Sequence, residues 1–354
     1  MSRRTTAGLL ALGLIVVLGT VGLVRPVHYV TFRPGPTMNV LGTYDGKTIV
    51  NVTGHKTYRD DGALRMVTVF AGGPDDEVTL AGMLYGWADP DIAVLPSSIY
   101  RGQTEKSNRQ ESAVEMTSSQ DSAVAAAFTA LGIKFTSKHA VGVGAVAPDG
   151  ASAGKLRQGD VLVAVDGKPV TDSTSLVNTI RAMAPGTSTT LTIRRDGAEK
   201  TVSVTTKADP QDPKVSRVGI SVAPSVTYSF PFKVKIDLPD TIGGPSAGMM
   251  FALAIYDVLT PGSLTGGKVI AGSGEITPEG KVGPIGGIAQ KLPAAQRDGA
   301  RLFLVAADNC AEAVRAHYDS DKMRLVKVNT LADAIKDVDA WRKDPSAALP
   351  RCTR

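Results

Sequence analysis

The chain has 354 residues, 43% of them hydrophobic and 21% charged, with a formal net charge of +5. That length accommodates two or three domains of ~100–200 residues, and the balance of apolar and charged residues excludes wholesale disorder, collagen-like sequence and a multi-span membrane protein. Arg3, Arg4, Arg25 and Arg33 lie in the first 35 residues, without an acid or a lysine among them, leaving 35 bases against 34 acids in the remainder; such a balance offers no basic face to a nucleic acid.

The run Ala7–Val24 carries no charge over 18 residues, close to the ~20 that cross a hydrocarbon core. Arg25-Pro26 follows it rather than a small-x-small cleavage site, so it reads as an uncleaved anchor and not a removed signal peptide. Residues 1–6, with Arg3 and Arg4, are expected as a cytoplasmic tail, 7–24 as a transmembrane helix, and the rest as a body on the extracytoplasmic side of the cytoplasmic membrane. The two cysteines, Cys310 and Cys352, form no C-x-x-C pair. They are either unrelated thiols or, in an oxidising compartment, a disulfide pinning the tail.

Residues 25–132 are expected as a region of strands and helices packed on the body. Thr31–Gly42 is rich in Pro and Gly and reads as a stalk or loop. Lys47–Thr53 and Ala63–Phe70 read as strands, Asp76–Trp87 as a short helix, Arg101–Glu111 as a flexible loop, and Glu115–Leu131 as a helix stopped by Gly132.

From 133 to 207 short strands (Ala140–Ala147, Asp160–Val165, Ser188–Arg194, Lys200–Thr205) alternate with the turns Asp149-Gly150, Asp166-Gly167 and Asp196-Gly197, around one helix at Ser173–Met183. The step Leu156-x-x-Gly159-Asp160-Val161, the turn Val165-Asp166-Gly167 and the last strand resemble, in that order, a PDZ domain of the bacterial kind. The resemblance implies a groove that takes an extended peptide as an added strand. The helix would form one wall; Leu131–Phe135 and Val141–Val146 are both candidates for the other. A packing module without a ligand is the plainer alternative.

Residues 208–214 read as a linker and 343–354 as a tail. Between them, 215–342 alternates strands (Val215–Val222, Lys233–Leu238, Val269–Ile276, Arg301–Val305, Met323–Val328) with helices (Pro245–Leu259, Ile288–Asp298, Asn309–Tyr318, Thr330–Arg342). The expected whole is an α+β protein: a transmembrane helix, a β-rich PDZ-like module and an α/β domain.

Two strings in that domain carry chemistry. In Thr241-Ile-Gly-Gly-Pro-Ser246-Ala-Gly, glycines permit close backbone approach and Pro245 suits a helix start, which sets Ser246 at a helix N-terminus able to hold an oxyanion. A mere helix cap is the alternative. A hydroxyl nucleophile needs a base. Of the four histidines, His28 borders the apolar run, His139 belongs to the PDZ-like module, and His55 and His317 have no recognisable setting. A lysine serves if burial lowers its pKa, and Lys291 stands in the first turn of a helix behind Gly286-Gly287, where the dipole favours its neutral form.

Together, P-S-A-G (Pro245–Gly248), G-E-I-T (Gly274–Thr277), P-I-G-G (Pro284–Gly287) and Lys291-Leu292 resemble the proteolytic domain of Lon proteases. That resemblance implies a Ser–Lys dyad of Ser246 as nucleophile and Lys291 as general base, with Ser273 orienting the amine and Gly244 and Ala247 as supporting positions. The chain has Gly243 where ATP-dependent Lon enzymes commonly carry an acid. Lys281 reads as a solvated decoy. Gly42-Thr-Tyr-Asp-Gly46-Lys47-Thr48 has one residue too few between its glycines for a P-loop, so neither a nucleotide nor any metal or other cofactor is expected. The order of segments resembles the PDZ-containing, membrane-anchored Lon-like proteases of bacteria and implies an ATP-independent serine endopeptidase acting on protein or peptide substrates. A non-catalytic adaptor with a retained scaffold competes with this reading. So, more weakly, does a Ser–His esterase, since Gly244–Gly248 also fits G-x-S-x-G.

Overall fold

A computed structural model describes residues 3–59, 61–100, 102–195 and 197–353, with the side chains of 3–6 and 8 outside the description. Arg101, Asp196 and the side chains of Arg3 and Arg4, which entered the sequence reading, therefore lie outside the described residues. In chain order the main strands are β1 Tyr29–Asn39, β2 Ala63–Ala71, β3 Ala93–Pro96, β4 Thr136–Val146, β5 Val161–Val165, β6 Ser188–Arg195, β7 Ala198–Thr205, β8 Ile220–Ser229, β9 Val269–Ser273, β10 Leu302–Ala306 and β11 Arg324–Val328. The helices are α1 Arg3–Val24, α2 Leu80–Ala88, α3 Glu105–Ala130, α4 Ser173–Arg181, α5 Gly248–Leu259, α6 Ile288–Arg297, α7 Cys310–Ala313 and α8 Leu331–Lys343. They separate into two compact units: residues 1–133 with 232–354, and residues 134–231.

The larger unit is built on a mixed sheet of order β11-β10-β9-β2-β1-β3. Pairings from β11 to β2 are parallel, whereas β1 runs antiparallel to both neighbours. Half of the sheet thus comes from the region before the PDZ-like module. β1 itself corrects the expectation of a stalk at Thr31–Gly42. Pro34 and Pro36 lack N–H donors, and the register shifts between Pro34 and Thr37 so that β1 stays paired on both sides of them. Gly35 is obligatory there, since a Cβ would come 2.4 Å from Thr68 Oγ1 and 2.8 Å from the Thr68 backbone.

Helices cover both faces. On one, Ile288, Leu292 and Ala295 of α6 pack with Val67, Ala271, Phe303 and Val305 in a single buried cluster. On the other, α5 lies against Gly272, where a Cβ would meet Met250 Sδ at 2.7 Å. α5 is apolar but for Asp257, whose Oδ1 accepts from Leu264 N–H at 2.7 Å, and all but one of its residues are buried, as expected of a central core helix. α3 packs on α5 through an alanine-rich buried face, Ala123 and Ala125–Ala127. It begins at Glu105, correcting the expected loop at Arg101–Glu111: Thr104 and Ser107 form a reciprocal capping box, and Glu105 pairs with Arg109 one turn on.

The expected transmembrane helix is not supported. Residues 3–24 are helical, but among the described residues no helix is long and apolar enough to cross a membrane. The string Gly42–Thr48 is a small hairpin, with Thr43–Tyr44 against Lys47–Thr48 and positive φ at Asp45 and Gly46, the backbone of a two-residue turn.

The smaller unit is an antiparallel sheet of order β7-β6-β5-β4-β8 with α4 beside it. Asp160 of the Gly-Asp step is buried and binds Arg195 through two hydrogen bonds of 2.6 Å and the Arg157 N–H at 2.8 Å, which accounts for an acid at that place. Sequence assigned Val215–Val222 to the following domain, yet β8 pairs with β4 along ten residues and forms the sheet edge.

Candidate active site

Ser246 does not cap a helix. α5 begins at Gly248, its N-cap is Ala247, and no side chain bonds there. Pro245 and Ser246 instead form the turn before the helix, so the serine hydroxyl is not consumed by the helix start. The turn is fastened by backbone. The Ser246 carbonyl accepts from Gly274 N–H at 3.0 Å, and Met249 N–H donates to the Gly274 carbonyl at 3.0 Å. Gly248 is required by the fit, because a Cβ would lie 2.8 Å from Ser119 Oγ and 2.9 Å from Ile276 Cγ2. Gly244 has φ +85°, the left-handed region. The N–H groups of Ser246 and Ala247 have no acceptor among the described residues, and they lie where the positive end of the α5 dipole points.

Lys291 is the fourth residue of α6, whose N-cap Gly287 has φ +69°. Its side chain is 2% exposed, among the apolar residues between α6 and the sheet. It reaches Ser273 at the carboxyl end of β9, with Nζ donating to Ser273 Oγ at 3.1 Å. Ser273 Oγ donates in turn to the Ser246 carbonyl at 3.0 Å. The crevice beyond the carboxyl ends of parallel strands is where α/β sheets commonly place sites. Burial lowers the Lys291 pKa to about 8, against the opposing pull of Glu312 and Glu275. A fraction of the amine is therefore neutral near pH 7 and can accept a proton.

The expected dyad positions, Ser246 and Lys291, and the supporting Ser273, Gly244 and Ala247 are thus gathered at one end of β9. Lys281 is exposed and apart from them. Two residues escaped the sequence reading: Ser112 and Ser119 of α3. The Ser112 carbonyl accepts from Gly244 N–H at 2.8 Å, and Ser119 Oγ donates to the Pro245 carbonyl at 3.0 Å. Their spacing of seven, two turns on one helix face, was the available signal. Gly243 follows from the same contact, since a Cβ there would fall 2.8 Å from Ser112 Cβ; a side chain at the position of the Lon acid would strike α3. Neither His317 nor His55 is hydrogen-bonded to Ser246. His317 Nδ1 bonds Asp91 at 3.0 Å, and His55 is stacked on Phe232.

Within the smaller unit a groove of about 630 Å³ runs between α4 (Leu176, Val177, Ile180) and Val218–Val222 at the free edge of β8. The expected helix wall is in place. The opposing wall is β8, not Leu131–Phe135; Val141–Val146 contributes only Ala145 and Val146. The cause is the edge position of β8, taken because its partner strand lies earlier in the chain, before the module's helix. Cys310 and Cys352 form a disulfide, with Cα atoms 4.8 Å apart.

Comparison with known proteins agrees with both halves of this geometry. Residues 230–338 match the Lon protease (S16) C-terminal proteolytic domain, and residues 129–206 match the PDZ domain. The chain is 37% identical over 110 residues to a Lon protease of Campylobacter concisus, covering 28% of this chain and 12% of that protein. It is 48% identical over 69 residues to a Lon protease of Desulforamulus reducens, covering 19% and 8%. The chain thus spans about an eighth or less of the length of these curated relatives. Among solved structures it is similar to the PDZ domain of the SdrC-like protein from Listeria monocytogenes, at 20% identity and TM-score 0.22, covering 24% of this chain and 87% of that one. The chain therefore carries one segment that matches the PDZ domain and one that matches the Lon proteolytic domain.

Proposed function

We propose that the protein is an ATP-independent serine endopeptidase in which Ser246 attacks the peptide carbonyl and Lys291 is the general base. The observation that carries this reading is the buried Lys291 amine, held on Ser273 Oγ at 3.1 Å while that hydroxyl bonds the Ser246 carbonyl. Neutral Lys291 takes the Ser246 proton as Oγ bonds to the substrate carbonyl carbon. The oxyanion that forms is stabilised by the unused N–H groups of Ser246 and Ala247. The lysine then gives its proton to the leaving amine, and water, activated by the same amine, releases the acyl group from Ser246.

The free edge of β8 supports a role for the PDZ domain in positioning extended substrate. The apolar, exposed α1 and the disulfide support attachment to the cytoplasmic membrane with the body on its extracytoplasmic side, and hence extracytoplasmic or membrane-associated protein substrates. The decisive experiment is cleavage of an unstructured peptide by the purified chain and by Ser246→Ala and Lys291→Ala. Each variant should lose activity, and the double variant should be no worse than either. Substantial turnover in Ser246→Ala, or a function that survives without Ser246, returns the reading to a non-catalytic adaptor.

A further inference from the structure

A nine-residue helix exposed to water normally alternates an apolar face with a polar one. α2, with the sequence LAGMLYGWA, carries no charge at all. Met83 and Gly86 are buried against the sheet, and Gly86 is fitted so closely that a Cβ would stand 2.6 Å from Val94 Cγ2. The opposite stripe, Ala81, Leu84, Tyr85 and Ala88, recurs at helical spacing and is exposed, as is Trp87. Leu84, Tyr85 and Trp87 are 45%, 65% and 60% exposed among the described residues.

The place of α2 identifies its cover. The Leu80 N–H donates to the carbonyl of Arg25, the residue after α1, and Pro26–Val27 pairs with Val78–Thr79 just ahead of α2. Trp87 packs edge-on against Tyr29, 6.3 Å between ring centres. α1 itself exposes eleven large apolar side chains between Leu9 and Val24. The stripe of α2 therefore continues the apolar surface of α1 at its carboxyl end. Trp and Tyr, apolar bodies with a polar tip, favour the boundary between headgroups and acyl chains. Tyr85 Oη donates to Asp89 at the carboxyl end of α2, and Arg25, exposed at its amino end, can meet a lipid phosphate. At about 13 Å long, α2 is too short to cross a bilayer and suited to lie in its plane.

We propose that α2 is an in-plane membrane contact, seating Leu84, Tyr85 and Trp87 in the lipid interface next to the end of α1. This rests on the membrane attachment proposed above, and the test separates the two. The chain has two tryptophans, and Trp341 is 5% exposed in the core, so vesicle-dependent emission reports Trp87. The full chain is mixed with phosphatidylethanolamine–phosphatidylglycerol vesicles with and without brominated acyl chains, then floated. The expected result is co-flotation, a blue shift of emission and quenching by the brominated lipid. Trp87→Phe should abolish quenching, and Leu84→Glu should weaken it about tenfold in lipid titration, with thermal unfolding unchanged at these exposed positions. A chain that floats without quenching of Trp87 overturns the role of α2 while attachment stands. A chain that stays at the bottom overturns both. A blue shift that follows protein concentration without lipid assigns the stripe to a second copy of the chain and also overturns the proposal.

Discussion

Ser119 and Pro245 are 126 residues apart, and one hydrogen bond of 3.0 Å joins the hydroxyl of the first to the carbonyl of the second. The residue before Ser246, the proposed nucleophile, is thereby held by a helix that precedes the PDZ domain in the chain. With Ser112 and Gly244 bonded on the same side, α3 acts as the rail on which the serine turn is set. A proteolytic domain cut at residue 230 would lack this rail together with three strands of its sheet.

Ser119→Ala should therefore cost about 1 kcal/mol of stability, the worth of one part-buried hydrogen bond, and lower kcat on a short peptide with little change in KM. Gly243→Ala brings a methyl to within 2.8 Å of Ser112 Cβ and should displace the turn. A misplacement of ~1 Å costs on the order of 10²-fold in rate. Steady-state kinetics beside thermal unfolding separates the two effects, and wild-type kcat in both variants would remove the rail from the mechanism.

The pH profile follows from the lysine. Its base form is the neutral one and its pKa is lowered to about 8, so kcat/KM should fall about tenfold per pH unit below that value and level off above it. Ser273→Ala removes the one hydrogen bond of Lys291 Nζ among the described residues and should reduce kcat. Ser273→Thr should restore it, since the hydroxyl is kept. An acid limb unchanged in position when Lys291 is replaced by histidine would assign the titration to another group.

The same burial makes Lys291 costly to the fold. Its folded pKa, about 8, lies below the ordinary lysine value of 10.5, so the unfolded chain binds more protons between those values and stability should rise with pH across that window. Below pH 8 the full penalty stands, roughly 3 kcal/mol at ~1.36 kcal/mol per unit. Lys291→Met should abolish cleavage and raise Tm at neutral pH, with the gain fading above pH 10. A lysine kept for structure would give the opposite sign in Tm.

The groove beside β8 makes a prediction independent of the dyad. Val177 faces it from α4, and Val177→Glu would place a carboxylate where an added strand would pack. Cleavage of a folded protein substrate should fall several-fold, because β-strand addition draws on this edge, while cleavage of a short peptide should not change. Equal losses on both substrates would assign the PDZ domain to scaffold duty.

Ser246 and Lys291 stood out as candidates because their surroundings are unusual: glycines where backbone approaches closely, a lysine placed against a dipole. What escaped was long-range. Pro34-Gly35-Pro36 carries every local mark of a loop, and only the shifted register shows how an interior strand tolerates it. β8 reads locally as the next domain's first strand, since nothing in its own sequence names β4, some eighty residues earlier, as its partner. Ser112 and Ser119 look like ordinary polar residues on an alanine-rich helix until the turn they hold is folded against them.

The disulfide gives the last prediction. Cys310 belongs to the buried cluster around α6 and Cys352 packs against it, so the bridge joins the tail to the face of the sheet that carries Lys291. Closing a loop with a sequence separation of 42 is worth roughly 4 kcal/mol in the chain-entropy model. The tail has other holds: Lys327 N–H donates to the Pro350 carbonyl at 3.1 Å, and Leu349 is 7% exposed. Reduction, or Cys352→Ser, should therefore lower Tm without releasing the tail to protease, and peptide cleavage should persist below the new transition. Protein made by the native host should show, by mass spectrometry without reductant, the loss of two hydrogens across Cys310 and Cys352. Free thiols at both positions would sink the bridge and, with it, the argument for an oxidising compartment.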